Sequence, residues 1–221
     1  MNILDAIEAR HSVRSYKDDP IPDETRDLLN AYVKHCNKEG NLHISIQYDD
    51  PDGFDSRLAH YGNFRNVKNY IVLAGKPGDD FSLRCGYYGE KIVLYAQKLG
   101  LNTCWVALTF NKRKVKKLLV PGEALCMVIS LGYGETQGIP HRSRSFDNVV
   151  KATDYPDWFK KGVEAALLAP TATNQQKFLF AYNDGNVTLS AKGIGPHLET
   201  DLGIVKYHFE AGSGYVPKIV R

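Results

Sequence analysis

The run Leu125-Cys126-Met127-Val128-Ile129-Ser130-Leu131, closed by Gly132 and Gly134, constrains this chain more than any other feature. A strand that is almost wholly apolar has no face to give to water, so it belongs at the centre of a sheet covered on both sides. A chain of 221 residues is long enough to bury such a core, as one large domain or two small ones.

The remaining pattern supplies neighbours for that strand. Tyr70-Ile71-Val72-Leu73-Ala74 is a second apolar strand, and Asn102 to Val106 a short third. Leu42 to Gln47 alternates apolar and polar residues, as a half-buried strand does. Phe178 to Tyr182 turns at Asn183-Asp184-Gly185 into Asn186 to Leu189, a hairpin signal. Helices are predicted over 2–9, from a capping Asp23, from Gly86 to Leu99 with Gly100 as cap, from Lys112 to Leu119, from Trp158 to Leu168, and from Asp201 to Ala211 capped by Gly212. Strands and helices in this mixed order predict an α+β fold, a layered mixed or antiparallel sheet with flanking helices. Residues 23–50 and 157–185 both read as helix, polar stretch and strand. That pattern points to a worn internal repeat, with pseudo-repeats 1–150 and 151–221 inside a single unit of 1–221.

Composition removes several function classes. Hydrophobic content of 43% and charged content of 24% are those of an ordinary globular protein. A formal net charge of +3 is too small to indicate nucleic acid, and the basic residues form local groups such as Lys112-Arg113-Lys114. Cys36, Cys85, Cys104 and Cys126 have no CxxC pairing and no histidine at ligand spacing, so the expectation is reduced thiols in a cytoplasmic protein and no metal site. Asp5 and Glu8 interrupt the apolar N-terminus, which does not read as a signal peptide, and no apolar run approaches membrane-span length.

Two clusters carry chemistry. Arg10-His11-Ser12-Val13-Arg14 places two guanidinium forks, an imidazole and a hydroxyl in five residues. If the chain leaves its first helix here and turns, these donors can converge on a dianion such as a phosphate. The alternative is a solvated basic helix end. Far downstream, Ala169-Pro170-Thr171-Ala172-Thr173-Asn174-Gln175-Gln176 offers side-chain amides on a small-residue loop, where the alternative is a simple helix stop at Pro170. Arg142-Ser143-Arg144 adds a second basic pair.

Together these segments resemble the FMN-dependent nitroreductase superfamily. The N-terminal basic segment is similar to the family's flavin-phosphate motif, and residues 169–176 to its Pro-Ser…Asn loop. Leu99-Gly100-Leu101-Asn102-Thr103-Cys104-Trp105-Val106 is similar to the segment leading to the flavin ring, and Val120-Pro121 with Leu131-Gly132-Tyr133-Gly134 to the family's closing strand. The resemblance implies FMN contacts from Arg10, His11, Ser12 and Arg14, from Trp105, Val106, Ala107 and Leu108, from Arg142 and Arg144, and from Pro170, Thr171, Ala172, Thr173, Asn174 and Gln176. It implies no catalytic side chain, because the flavin carries the chemistry. NADH or NADPH would be the electron donor, and nitroaromatics, quinones or free flavin the acceptors.

In ordinary members the Pro-Ser…Asn loop comes early, whereas here residues 34–40 hold no such loop and it stands near residue 170. This resembles the branch in which one chain imitates the family's homodimer, and implies one FMN per chain, held between the halves of a monomer. An obligate homodimer is the alternative. The competing functions are another flavin reaction on the same fold, such as dehalogenation or flavin fragmentation, and flavin binding without turnover.

Overall fold

The computed structural model describes residues 1–55 and 61–221. They form two compact units, one of residues 9–81 and 92–140, the other of residues 1–8, 82–91 and 141–221. Among the described residues the helices are α1 (Ile3–Ala9), α2 (Asp23–Gly40), α3 (Phe81–Lys98), α4 (Lys112–Lys116), α5 (Asp157–Ala166) and α6 (Leu198–Ser213). The strands are β1 (Ser45–Gln47), β2 (Asn69–Gly75), β3 (Asn102–Val106), β4 (Ala124–Gly132), β5 (Val150–Lys151), β6 (Phe178–Asn183), β7 (Asn186–Ala191) and β8 (Lys218–Val220).

The first unit is built on an antiparallel sheet of order β1-β2-β4-β3. The apolar run is therefore interior to its sheet: Tyr70 pairs with Ser130 and Val72 with Val128 on one side, and Trp105 pairs with Ile129 on the other. Every residue of β2 is buried, and β4 is buried from Met127 onward. Ser130, the one polar residue of the run, is satisfied by Tyr16, whose hydroxyl lies 2.7 Å from Ser130 Oγ and donates to the Val13 carbonyl at 2.7 Å. Burial holds the Tyr16 phenol well above its ordinary pKa, so it stays a neutral donor.

The second unit has a mixed sheet of order β5-β6-β7-β8, with β6 and β7 antiparallel and both outer pairs parallel. Helices α5 and α6 pack on each other, and Phe159, Phe178, Phe180 and Phe209 form its aromatic centre, with Phe180 stacked on Phe209 at 4.6 Å between centroids. Residues 82–91 of α3 cross α6 at a pair of glycines. A Cβ on Gly86 would stand 2.0 Å from the Thr200 carbonyl oxygen, and one on Gly203 would stand 2.1 Å from that of Leu83. Beside that crossing, His208 Nε2 lies 2.9 Å from Glu90 Oε1 with both side chains fully buried.

The α+β prediction holds, while several boundaries move for physical reasons. Gly86 does not open a helix; α3 begins at Phe81, and Gly86 sits inside it because the crossing leaves no room for a side chain. Asp23 is the first helical residue of α2 and no cap; Pro22 precedes it in extended conformation. The strand predicted from Leu42 begins at Ser45, since the Asn37 side chain ties down Ile44 through both its amide and its carbonyl. α4 stops at Lys116, short of Leu119. α6 begins three residues earlier and ends two residues later than predicted, and Gly214, at φ 72°, caps it in place of Gly212.

Candidate functional site

The basic segment is placed by backbone pairing. Once α1 ends at Ala9, Val13 N–H donates to the Thr103 carbonyl of β3 at 3.0 Å, and Lys17 N–H to that of Tyr133 at 2.8 Å. Arg65 N–H donates to the Arg14 carbonyl at 2.9 Å. The expected turn is thus an extended strand-like run. Arg10, Ser12 and Arg14 are spaced by two, the period that puts side chains of an extended chain on one side. Beside them lies Cys104, whose acidity all three affect: the charges of Arg14 and Arg10 and the hydrogen-bonding groups of Arg14 and Ser12 favour its thiolate. Burial dominates and raises the Cys104 pKa, so the thiol stays neutral, its Sγ 3.6 Å from the Trp105 carbonyl it faces.

Arg10 is 3% exposed, whereas Ser12 and Arg14 are open to solvent, with the Arg14 guanidinium 5.8 Å from the centre of the Phe64 ring. Two guanidinium groups and a hydroxyl at alternate positions of one extended segment form a donor set suited to an oxyanion. His11 lies elsewhere; a Cβ on Gly138 would stand 2.7 Å from its own. Further along β3, Trp105 is half-buried and Val106 lies in the apolar core, so only the backbone of Val106 could meet a ligand. Ala107 and Leu108 follow on a bend, Leu108 being 72% exposed.

In the second unit the predicted loop has an uncommon backbone. Thr173, Asn174 and Gln176 have φ values of 52°, 56° and 45°. Left-handed residues other than glycine cost on the order of 1–3 kcal/mol each where the surroundings force them, and the β-branched Thr173 is the least suited. Two sets of bonds hold them there. On one side Gln176, 2% exposed, accepts Arg144 N–H on Oε1 at 2.8 Å and donates from Nε2 to the Arg142 carbonyl at 2.8 Å and to Asn174 Oδ1 at 2.7 Å. The loop and the Arg142–Arg144 segment, about thirty residues apart in sequence, are thereby joined, and Asn174 Nδ2 adds a bond to the Arg142 carbonyl at 2.9 Å. Both N–H groups of Gln176 are used, so its expected place as a ring-edge donor gives way to holding the loop. Asn174 and Thr173 are exposed, as are Arg142 and Arg144; Pro170, Thr171 and Ala172 are half-buried.

On the other side stands Asp201, which sequence reasoning read only as a helix start. It lies in the first turn of α6, 6% exposed, and accepts Ala172 N–H at 3.0 and 3.2 Å and Gln175 Nε2 at 2.7 Å. Burial pushes its carboxyl up to about 6, opposed by those two donors. No motif marks it; only the excess of donors in the loop hints that an acceptor is needed. Among the described residues no group of His, Cys, Asp and Glu is arranged to hold a metal ion, and no helix is long and apolar enough to cross a membrane.

Comparison with protein families matches residues 2–213 to the family described as "Putative TM nitroreductase". No curated protein matches the chain. Among solved structures, one described as a "putative nitroreductase" from Thermotoga maritima is 25% identical, with a TM-score of 0.69 over 96% of this chain and 83% of that one. A "putative nitroreductase in complex with fmn" from Desulfovibrio desulfuricans is 21% identical, with a TM-score of 0.57 over 70% of this chain and 98% of that one. A "Putative NADH Oxidase" from Clostridium acetobutylicum is 22% identical, with a TM-score of 0.53 over 68% and 99%.

Proposed function

Because the chain belongs to the nitroreductase family matched over residues 2–213, we propose that it is an FMN-dependent oxidoreductase that takes electrons from NADH or NADPH and delivers them to a nitroaromatic, quinone or flavin acceptor. The observation that carries this reading is the extended backbone of residues 10–14, paired to Thr103 and Arg65, which sets Arg10, Ser12 and Arg14 at alternate positions, a donor set that fits a phosphate dianion. The complex of a structural neighbour with FMN lends further support.

A bound FMN would supply hydride acceptance at N5 and onward electron transfer. The residues of the chain bind and orient. Arg10, Arg14 and Ser12 would hold the phosphate. The exposed Asn174 keeps one N–H and one carbonyl lone pair beyond those used by Arg142 and Gln176, enough to meet a ring edge. Gln176 keeps that loop in shape. In the first unit, the backbone of Val106, Ala107 and Leu108 and the Trp105 side chain are the further groups proposed to meet a flavin. We propose one FMN per chain, in a monomer.

Consumption of NADH or NADPH by the FMN-loaded protein, followed at the nicotinamide absorbance with and without a quinone, tests the assignment. Oxidation that depends on both quinone and bound FMN supports it. A protein that binds FMN and leaves both nicotinamides untouched is a flavin-binding protein without this activity.

A further inference from the structure

We propose that Asp201 is a positioning residue: its carboxylate latches the strained loop Thr171–Gln176 to the first turn of α6 and so fixes the amide and backbone groups that the loop offers to a flavin. The proposal rests on the FMN reading only for the identity of the ligand; the latch itself rests on geometry. The loop holds three left-handed residues in four positions, none of them glycine. A loop of that kind relaxes unless its surroundings over-determine it. Gln176 fixes one end, as described. The other end has Asp201, which takes the Ala172 N–H on both oxygens and the Gln175 amide on one. Gln175 also donates to the Pro196 carbonyl at 2.8 Å, which ties the segment before α6 to the same point.

A carboxylate is a poor choice for stability in that place. It is buried, and among the described residues no cationic group answers it. The other titratable groups on these elements are engaged elsewhere or outside its contacts: Glu199 lies 3.4 Å from the Arg221 guanidinium, Lys177 bonds the Ile194 carbonyl, and His197 lends Asp201 only its backbone carbonyl. An apolar or neutral residue would avoid the desolvation penalty. What only the carboxylate supplies is two acceptor atoms aimed at three donor contacts. Stability and loop positioning are therefore set against each other at this residue, and that opposition can be measured.

The experiment compares the full-length wild type with Asp201→Asn at pH 7.5. The amide accepts on one atom only, so its NH2 is turned against a loop donor and at least one of the three contacts is lost. Three quantities are read: melting temperature, hydrogen–deuterium exchange of segment 171–176 against that of β6 and β7, and the dissociation constant for FMN. The expected result is a melting temperature equal to or above wild type, with β6 and β7 as protected as before. Exchange protection of the loop falls and FMN binding weakens, each by about tenfold, the worth of one charge-assisted hydrogen bond. Unchanged loop protection in the folded variant overturns the proposal. So does a variant that loses protection in β6 and β7 as well, because Asp201 is then a general structural requirement. If the wild type binds no FMN while the loop loosens as stated, the cofactor reading fails and the latch stands. If FMN binds and loop protection does not respond, the latch fails and the cofactor reading stands.

Discussion

Gln176 Oε1 accepts the backbone N–H of Arg144 at 2.8 Å, joining two segments that the sequence separates by 32 residues. With its Nε2 bonded to the Arg142 carbonyl and to Asn174, this one side chain satisfies backbone groups that no strand or helix pairs. Gln176→Leu removes the partners and keeps the bulk. The Arg142 carbonyl keeps Asn174 as a partner, while the Arg144 N–H loses its acceptor; at about 1–3 kcal/mol for a group left unsatisfied, the variant should lose about 1–3 kcal/mol in urea unfolding. A loss under about 1 kcal/mol would show that water replaces the amide without cost and that the join is incidental.

The crossing of α3 and α6 gives a steric test. A Cβ at residue 203 would stand 2.1 Å from the Leu83 carbonyl oxygen and 2.7 Å from the Tyr87 nitrogen, both backbone atoms that cannot rotate away. Gly203→Ala should therefore destabilise by about 3 kcal/mol, the upper range of overpacking. Gly78, with nothing within 4 Å of a Cβ, is the control, and Gly78→Ala should stay within about 0.5 kcal/mol of wild type.

Asp201 gives stability a pH signature of defined sign. Its folded value of about 6 lies above the ordinary 3.8, so the native state binds the proton more tightly than the unfolded chain does. The group's contribution is fully present below the unfolded value and is lost as pH rises through the folded one. Two units correspond to about 3 kcal/mol. The difference in unfolding free energy, wild type minus Asp201→Asn, should fall by about 2–3 kcal/mol from pH 4 to pH 6.5 and then level off. A difference that rises over this range would mean that the carboxylate, and not the acid, is the favoured form in the folded chain.

The parts of the fold that rest on hydrophobic period were legible in the sequence. The run from Leu125 to Leu131 required a place inside a sheet, and β4 has one. The α+β class and the turn at Asp184-Gly185, both at positive φ, followed from the order of elements and the turn residues. What escaped was set by tertiary contact. Gly86 reads as a helix boundary by propensity, yet it lies within α3 because of what crosses it. The site shows the same division. Arg10, Ser12 and Arg14 stand out by composition, and their spacing of two becomes informative only once the segment is known to be extended. Asp201 carries no local signal, because its meaning depends on donors almost thirty residues upstream.

The Arg10–Arg14 segment is proposed to hold one FMN per chain. Titration of the purified protein with FMN, followed by flavin fluorescence in the wild type and in the Arg10→Ala/Arg14→Ala double variant, tests it most directly. The wild type should saturate at one FMN per chain. At about 1.5–3 kcal/mol for each hydrogen bond to a charged group, the double variant should bind at least a hundredfold more weakly. Absence of saturable binding by the wild type, or equal affinity in the two proteins, would contradict the account.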